Sequence, residues 1–212
     1  MNMFLELVDN PEVLNIYQYG SRVYNCFTDK SDYDYVVIVT DDYKPFVDNI
    51  ESGDNHFNFY KLSEWYDMVN RNTIETLECI FVDEKFRIKE SIKFDITIDQ
   101  VELRKSISKV CSNSYDKCRK KLIIEKDFAP YIAKKSLWHC IRILLFGIQC
   151  AKYRKITDYT EANKFYKDIV LNENNNWDYY KTNWHVFCNN LRTEFRKYSE
   201  KEWIKWKEIS NG

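Results

Sequence analysis

Between Tyr19 and Thr40 the chain reads YGSRVYNCFTDKSDYDYVVIVT, and this stretch constrains the fold more than any other. Its last part, Tyr35-Val36-Val37-Ile38-Val39, is β-branched and almost continuously apolar, the pattern of a buried strand. A turn at Gly20-Ser21-Arg22 comes before it, and Asp32 and Asp34 open the strand. Residues two apart on a strand project from the same face. The two carboxylates therefore point the same way, about 6–7 Å apart along the backbone. Carboxylates held side by side repel unless a cation lies between them, and a hard divalent ion such as Mg²⁺, or Mn²⁺, suits that position. The Gly-Ser turn adds backbone N–H groups and a hydroxyl of the kind that bind phosphate oxygens.

The charge balance limits the partners. Lys+Arg total 32 and Asp+Glu 33 in 212 residues, so the chain lacks the bulk positive charge of a sequence-independent nucleic-acid binder. Its length suits one substantial domain or two small ones. The seven cysteines form no CxxC pair and no zinc spacing, which fits reduced thiols better than a disulfide framework. Glu6, Asp9 and Pro11 argue against a signal peptide. The most apolar window, Leu137 to Ala151, holds His139, Arg142 and Gln149 and is too short to span a bilayer. A soluble, cytoplasmic protein without a membrane partner is expected.

Along the chain, residues 3–13 read as a short helix or lead-in, Leu14 to Tyr19 as the first strand, and 21–27 as a short helix. Residues 49–55 read as a surface loop or hairpin connection, and 56–60 as a third strand. Ser63 is placed to cap a helix, and a second helix covers 73–81, capped by Asn72 or Thr73. Phe86 to Ile92 is ambiguous between strand and loop. From about residue 98 the pattern turns helical, with helices over 99–126, 130–153, 159–171 and 181–208, and a loop at Asn172 to Asn176. Trp177, Trp184, Trp203 and Trp206 read as packing residues, and Cys111 and Cys118 as packing rather than redox groups. The run Arg119-Lys120-Lys121 is most simply a solvated helix face. Glu75 and Glu78, three apart on a helix, have the spacing to face the cleft, with surface positions or a helix-start charge preference as the simpler reading, and His185 has no evident partner.

A Gly-Ser pair, ten residues, then Asp-x-Asp at the head of an apolar strand resembles the signature of the DNA polymerase β-like nucleotidyltransferase superfamily. The segment Phe57 to Phe81 is similar to its minimal predicted nucleotidyltransferase subgroup, in which a later helix carries Lys, His and Arg. Here Lys135, His139 and Arg142 stand at i, i+4 and i+7 on one helix face. The resemblance implies that Gly20 and Ser21, assisted by Arg22, hold a triphosphate. It implies that Asp32 and Asp34 bind Mg²⁺ or Mn²⁺, and that Lys135, His139 and Arg142 form a basic stripe toward phosphate, with a packed and solvated face as the simpler alternative. The family's third carboxylate, a metal ligand and often the general base, falls at His56 in this chain. Either Asp54 reaches the site, or His56 replaces the acid as ligand or base, or the site is degenerate.

The fold expected is α+β. A small mixed sheet with flanking helices, the polymerase β-like core at 1–95, is followed by a helical C-terminal part at 96–212, with the triphosphate in the cleft between them. The activity expected is metal-dependent transfer of an NMP group from a nucleoside triphosphate to an acceptor hydroxyl, releasing pyrophosphate. The acceptor, whether RNA, protein or small molecule, stays open. Two other classes fit the residues: a degenerate binder of nucleotide or RNA, and a partner-binding protein of the toxin–antitoxin kind.

Overall fold

The apolar run after Asp34 is the middle strand of a mixed sheet. In this computed structural model, which describes residues 3–44 and 46–199, the chain divides into two compact units, one ending at Thr97 and the other beginning at Ile98.

The first unit opens with α1 (Met3–Asp9) and continues through β1 (Val13–Tyr19), β2 (Tyr33–Val39), β3 (Asn49–Ser52) and β4 (Asn55–Lys61). Helices α2 (Leu62–Asn70) and α3 (Ile74–Ile80) follow, then β5 (Arg87–Glu90). The strand order is β3-β4-β2-β1-β5. Strand β2 runs antiparallel to β1 and parallel to β4. A central strand is covered on both faces, which is why Tyr35 to Val39 are all buried. On one face Tyr35, Val37, Val39, Phe57 and Phe59 pack with Leu7 and Phe4 of α1. Trp65 of α2 is fully buried and stacks with Tyr17 of β1 at 6.4 Å between ring centroids.

Three local expectations change. Residues 49–52 form the edge strand β3, paired with β4 through a turn at Gly53, whose φ is +61°. Its polar composition hides it, as is usual for an edge that must not pair with other chains. Residues 21–25 make a hydrogen-bonded turn rather than a helix, with Asn25 in the left-handed region at φ +56°. Ser63 is not the cap of α2, which starts one residue earlier. Instead the Asp41 carboxylate accepts from both the Ser63 N–H (3.0 Å) and its hydroxyl (2.8 Å). These bonds hold the Asp41 carboxyl below the usual carboxylate range. The ambiguous segment before residue 92 is the strand β5.

The second unit is built from α4 (Gln100–Ile123), α5 (Pro130–Tyr153), the single turn α6 (Tyr166–Ile169) and α7 (Trp177–Tyr198). Asp99 caps α4 by accepting from Val101 N (2.8 Å) and Glu102 N (3.2 Å). The helix expected over 159–171 is a 3₁₀ turn, Glu161–Phe165, followed by α6. Helix α7 begins earlier than expected, at Trp177, and is described to Tyr198. The expected continuation to 208, with Trp203 and Trp206, lies outside the described residues. Helix α5 is buried nearly all round, the mark of a central helix. Cys111, Cys118, Cys140 and Cys188 are free thiols within this core. No helix among the described residues is long and apolar enough to cross a membrane.

Gly147 sits where α4, α5 and α7 meet. A Cβ there would lie 2.9 Å from Ile107 Cγ2 and 3.2 Å from Phe195 Cε2. Helix propensity alone makes Gly147→Ala stabilising by about 1 kcal/mol, whereas overpacking costs about 1–3 kcal/mol. The contact should win, so urea unfolding of Gly147→Ala is expected to show a lower midpoint. A raised midpoint would mean that Ile107 yields at little cost.

Candidate active site at the end of the sheet

Lateral register brings the motif residues together. Tyr19 at the end of β1 lies opposite Asp34 on β2, and Asp34 lies beside His56 on β4. Gly20 follows Tyr19 directly, at φ +84°, where residues with a Cβ are strained. A Cβ at Gly20 would also overlap the Asp34 carboxylate. The glycine thus serves both the turn and the close approach of the acid.

Asp32 stands just ahead of β2, with its side chain about half exposed. The His56 imidazole lies between the two acids, with Nε2 3.9 Å from Asp32 Oδ2 and Nδ1 3.8 Å from Asp34 Oδ1. These separations exceed those of good hydrogen bonds. Asp54, the other candidate for the third acid, is exposed in the turn before β4, and its carbonyl accepts from Tyr33 N at 2.7 Å. His56 is therefore the residue brought against the aspartate pair.

The Gly-Ser turn is closed by the N–H groups of Val23 and Tyr24, both donating to Gly20 O, and of Cys26, donating to Ser21 O. The amides of Ser21 and Arg22 make none of these internal bonds. Arg22 turns back on the following loop instead. Its Nη2 donates to Ser31 O (2.6 Å) and its Nε to Asp32 O (3.3 Å), and the guanidinium carbon lies 3.6 Å from the Tyr33 ring centroid. Arg22 thus fixes the segment carrying Asp32. A buried contact and a half-buried one hold the site from behind. Tyr24 OH donates to Glu78 Oε2 at 2.6 Å, and Glu78, expected at the surface, is only 6 % exposed. Asn58 Nδ2 donates to Tyr19 OH at 2.7 Å. Burial, and then the Asp34 charge, push the Tyr19 phenol far above its ordinary range, so it stays protonated. A polar residue two places after His56, on the same face of β4, was the available signal for Asn58.

The basic trio on α5 divides. Lys135 is exposed, while Arg142 is buried, its Nη2 2.7 Å from His139 Nδ1. Arginine only donates, so Nδ1 accepts and the His139 proton sits on Nε2. Loss of solvent, then the charges of Arg142 and Lys117, push His139 down to about 3. It adds no positive charge near neutral pH, and Lys135 is the exposed cation of the three.

Among the described residues, no group of three or more His, Cys, Asp and Glu side chains is arranged to hold a metal ion. The aspartate pair still fits one kind of cation. Mg²⁺ dehydrates reluctantly and is commonly held by one or two carboxylates, with waters and substrate phosphates completing its shell. Imidazole is a poor ligand for so hard an ion, so the donor set for it is Asp32 and Asp34.

Gly20→Ala should destabilise the first unit by about 1–2 kcal/mol through backbone conformation alone, and by more through the overlap with Asp34. A double-mutant cycle in urea should give coupling of about 0.5–3 kcal/mol, with Asp34→Ala relieving part of the Gly20→Ala cost. Zero coupling would remove the close approach as the reason for glycine. For His139, the pKa in the folded chain lies below its ordinary 6.5, so the unfolded chain takes up the proton first as pH falls. Its contribution to stability is complete above about pH 6.5 and is lost toward about pH 3, by about 1.4 kcal/mol per unit. His139→Asn, which keeps an acceptor for Arg142, should unfold with a weaker pH dependence over that window. An unchanged dependence would place the acid sensitivity elsewhere.

Comparison with protein-family models and with curated proteins gives no match for this chain, and the functional reading rests on the site's own residues and geometry.

Proposed function

We propose that the first unit is a polymerase β-like nucleotidyltransferase core that transfers an NMP group from a nucleoside triphosphate to an acceptor hydroxyl. The single observation that carries this is the row Gly20, Asp34, His56. It joins the Gly-Ser turn, a carboxylate and an imidazole across three adjacent strand ends. The Ser21 and Arg22 amides and the Ser21 hydroxyl bind the β- and γ-phosphates, as donors in a tight turn do. Asp32 and Asp34 hold the divalent cation, which when bound supplies Lewis acidity that stabilises the charge developing on the pyrophosphate. His56, next to both acids, accepts the acceptor hydroxyl's proton as its oxygen attacks the α-phosphorus and the bond to pyrophosphate breaks. Arg22, Tyr24 and Glu78 act as positioning residues for the turn and for Asp32.

A second reading is favoured by one observation. A histidine stands where a third carboxylate is expected, and three protein donors do not converge on a cation position. On that reading the unit binds a triphosphate without transferring it.

Pyrophosphate release separates the two. Each labelled nucleoside triphosphate is supplied with Mg²⁺ or Mn²⁺, in the presence of total RNA or protein. Asp34→Ala should lower release by at least about a hundredfold, and His56→Asn by about 10²–10⁴-fold if the imidazole is the base. Full activity in Asp34→Ala would overturn the mechanism. Triphosphate binding without release in the native chain would support the binder.

A further inference from the structure

In the second unit, α4 and α7 enclose an open polar cavity of about 470 Å³, lined by Ser112, Tyr115, Asp116, Asn189, Arg192 and Arg196 among others. Its hydrogen bonds fix one another's direction. Arg192 Nη1 donates to Asn189 Oδ1 at 3.0 Å. Arginine has only donors, so the Asn189 carbonyl faces it and the amide nitrogen faces away. That nitrogen lies 3.0 Å from His185 Nε2, which must then accept. The His185 proton is left on Nδ1, 2.7 Å from Tyr115 Oη. The phenol oxygen therefore accepts from His185, and its own O–H is left to donate elsewhere.

Tyr115 is held rigidly for that task. Trp177 meets its ring edge-on at 5.6 Å between centroids, and the Arg192 guanidinium carbon lies 5.1 Å from the ring centroid. Burial pushes the phenol up to about 12, with Cys188 adding to the rise and Arg192 opposing it. It remains a proton donor throughout the physiological range.

Positive charge predominates on the wall. Arg192 and Arg196 line the cavity, and Arg104 on α4 lies near enough to Arg196 to be depressed by it, after the larger effect of its own burial. Among the described residues neither Arg192 nor Arg196 forms an ion pair with a carboxylate. The one acid on the wall, Asp116, lies 3.8 Å from Arg119. Like charges gathered on one wall oppose folding unless something anionic meets them.

We infer that this cavity is a binding site for a phosphate-bearing small molecule, whose phosphate is held by Arg192, Arg196 and the Tyr115 hydroxyl. Arginine forks match phosphate geometry and give charge-assisted bonds. The Ser112 hydroxyl adds a donor at the rim, and the volume suits a ligand of sugar-phosphate to mononucleotide size. This site belongs to the helical unit and does not depend on the proposed activity of the first.

Isothermal titration calorimetry on the full chain tests it, with ribose 5-phosphate as probe and ribose as control. The native chain should bind the phosphate ester saturably and ribose not at all. Arg196→Gln, at an exposed position, should weaken binding by about tenfold or more with the cooperative melting transition retained, and Tyr115→Phe, which keeps the ring but removes the acceptor of His185, should weaken binding as much while lowering the melting midpoint. Ser21→Ala, in the first unit, should leave it unaltered. Saturable binding that survives Arg196→Gln and Tyr115→Phe, or that is lost in Ser21→Ala instead, would overturn the inference. So would a native chain that binds no phosphate ester.

Discussion

The whole first unit depends on how closely the backbone at Gly20 approaches the Asp34 carboxylate. A Cβ on residue 20 would overlap that carboxylate, and the residue's φ of +84° already excludes most side chains. Because β1 and β2 are antiparallel, the end of β1 meets the beginning of β2 and delivers Gly20 to Asp34. Because β2 and β4 are parallel, their beginnings lie side by side and bring His56 to the same end. A parallel neighbour cannot be joined by a tight turn. The intervening chain makes the edge strand β3 and reaches β4 by a hairpin at Gly53. The mixed pairing is thus what gathers a turn, an acid and an imidazole from three separate stretches of sequence.

Buried and half-buried polar side chains of the first unit each meet a specific partner. Tyr24 meets Glu78, Tyr19 meets Asn58, and Asn15 donates to both Tyr17 OH and Ile92 O at 2.7 Å. Groups of this kind cost free energy when a partner is missing and contribute only modestly when it is present. Their effect is to fix direction more than to add stability. Tyr24 is the clearest case, since it sits within the Gly-Ser turn and anchors it to α3. Arg22 does for the loop after the turn what Tyr24 does for the turn itself.

Much of this was legible because it follows local rules. The run Tyr35 to Val39 is apolar without alternation, so it could only be a covered strand, and Pro130 at the first turn of α5 announced that helix. What stayed hidden depends on pairing across the chain. Ser63 had the residue type and position of a cap, but the acceptor that serves α2 is Asp41, from another segment. Strand β3 is too polar for its sequence to separate it from a loop. Glu78 looks like a surface acid until Tyr24 arrives from 54 residues away. The stripe Lys135, His139, Arg142 has the right helical spacing, yet spacing cannot say that Arg142 is buried and donates to its neighbour. For His185 only half of the signal was in the sequence: Asn189 stands four residues further along the same helix, whereas Tyr115 comes from α4.

On the proposed reading, His56 stands in place of a third carboxylate, and this changes the electrostatics of the site in one definite direction. An imidazole contributes no charge or a positive one, never a negative one, so the row carries at most the two negative charges of Asp32 and Asp34. Two divalent ions a few ångströms apart repel strongly and need a dense set of carboxylates and phosphates between them. With one acid fewer, the protein's share of that compensation falls, and the phosphates of the substrate must supply more of it. On the proposed reading a cation then enters most favourably together with the triphosphate, and a single ion is the occupancy that two carboxylates sustain. On the same reading the third position is free from metal ligation, and the imidazole that stands there can carry a proton. On the proposed reading, loss of a ligand and gain of a base are two aspects of one residue's chemistry.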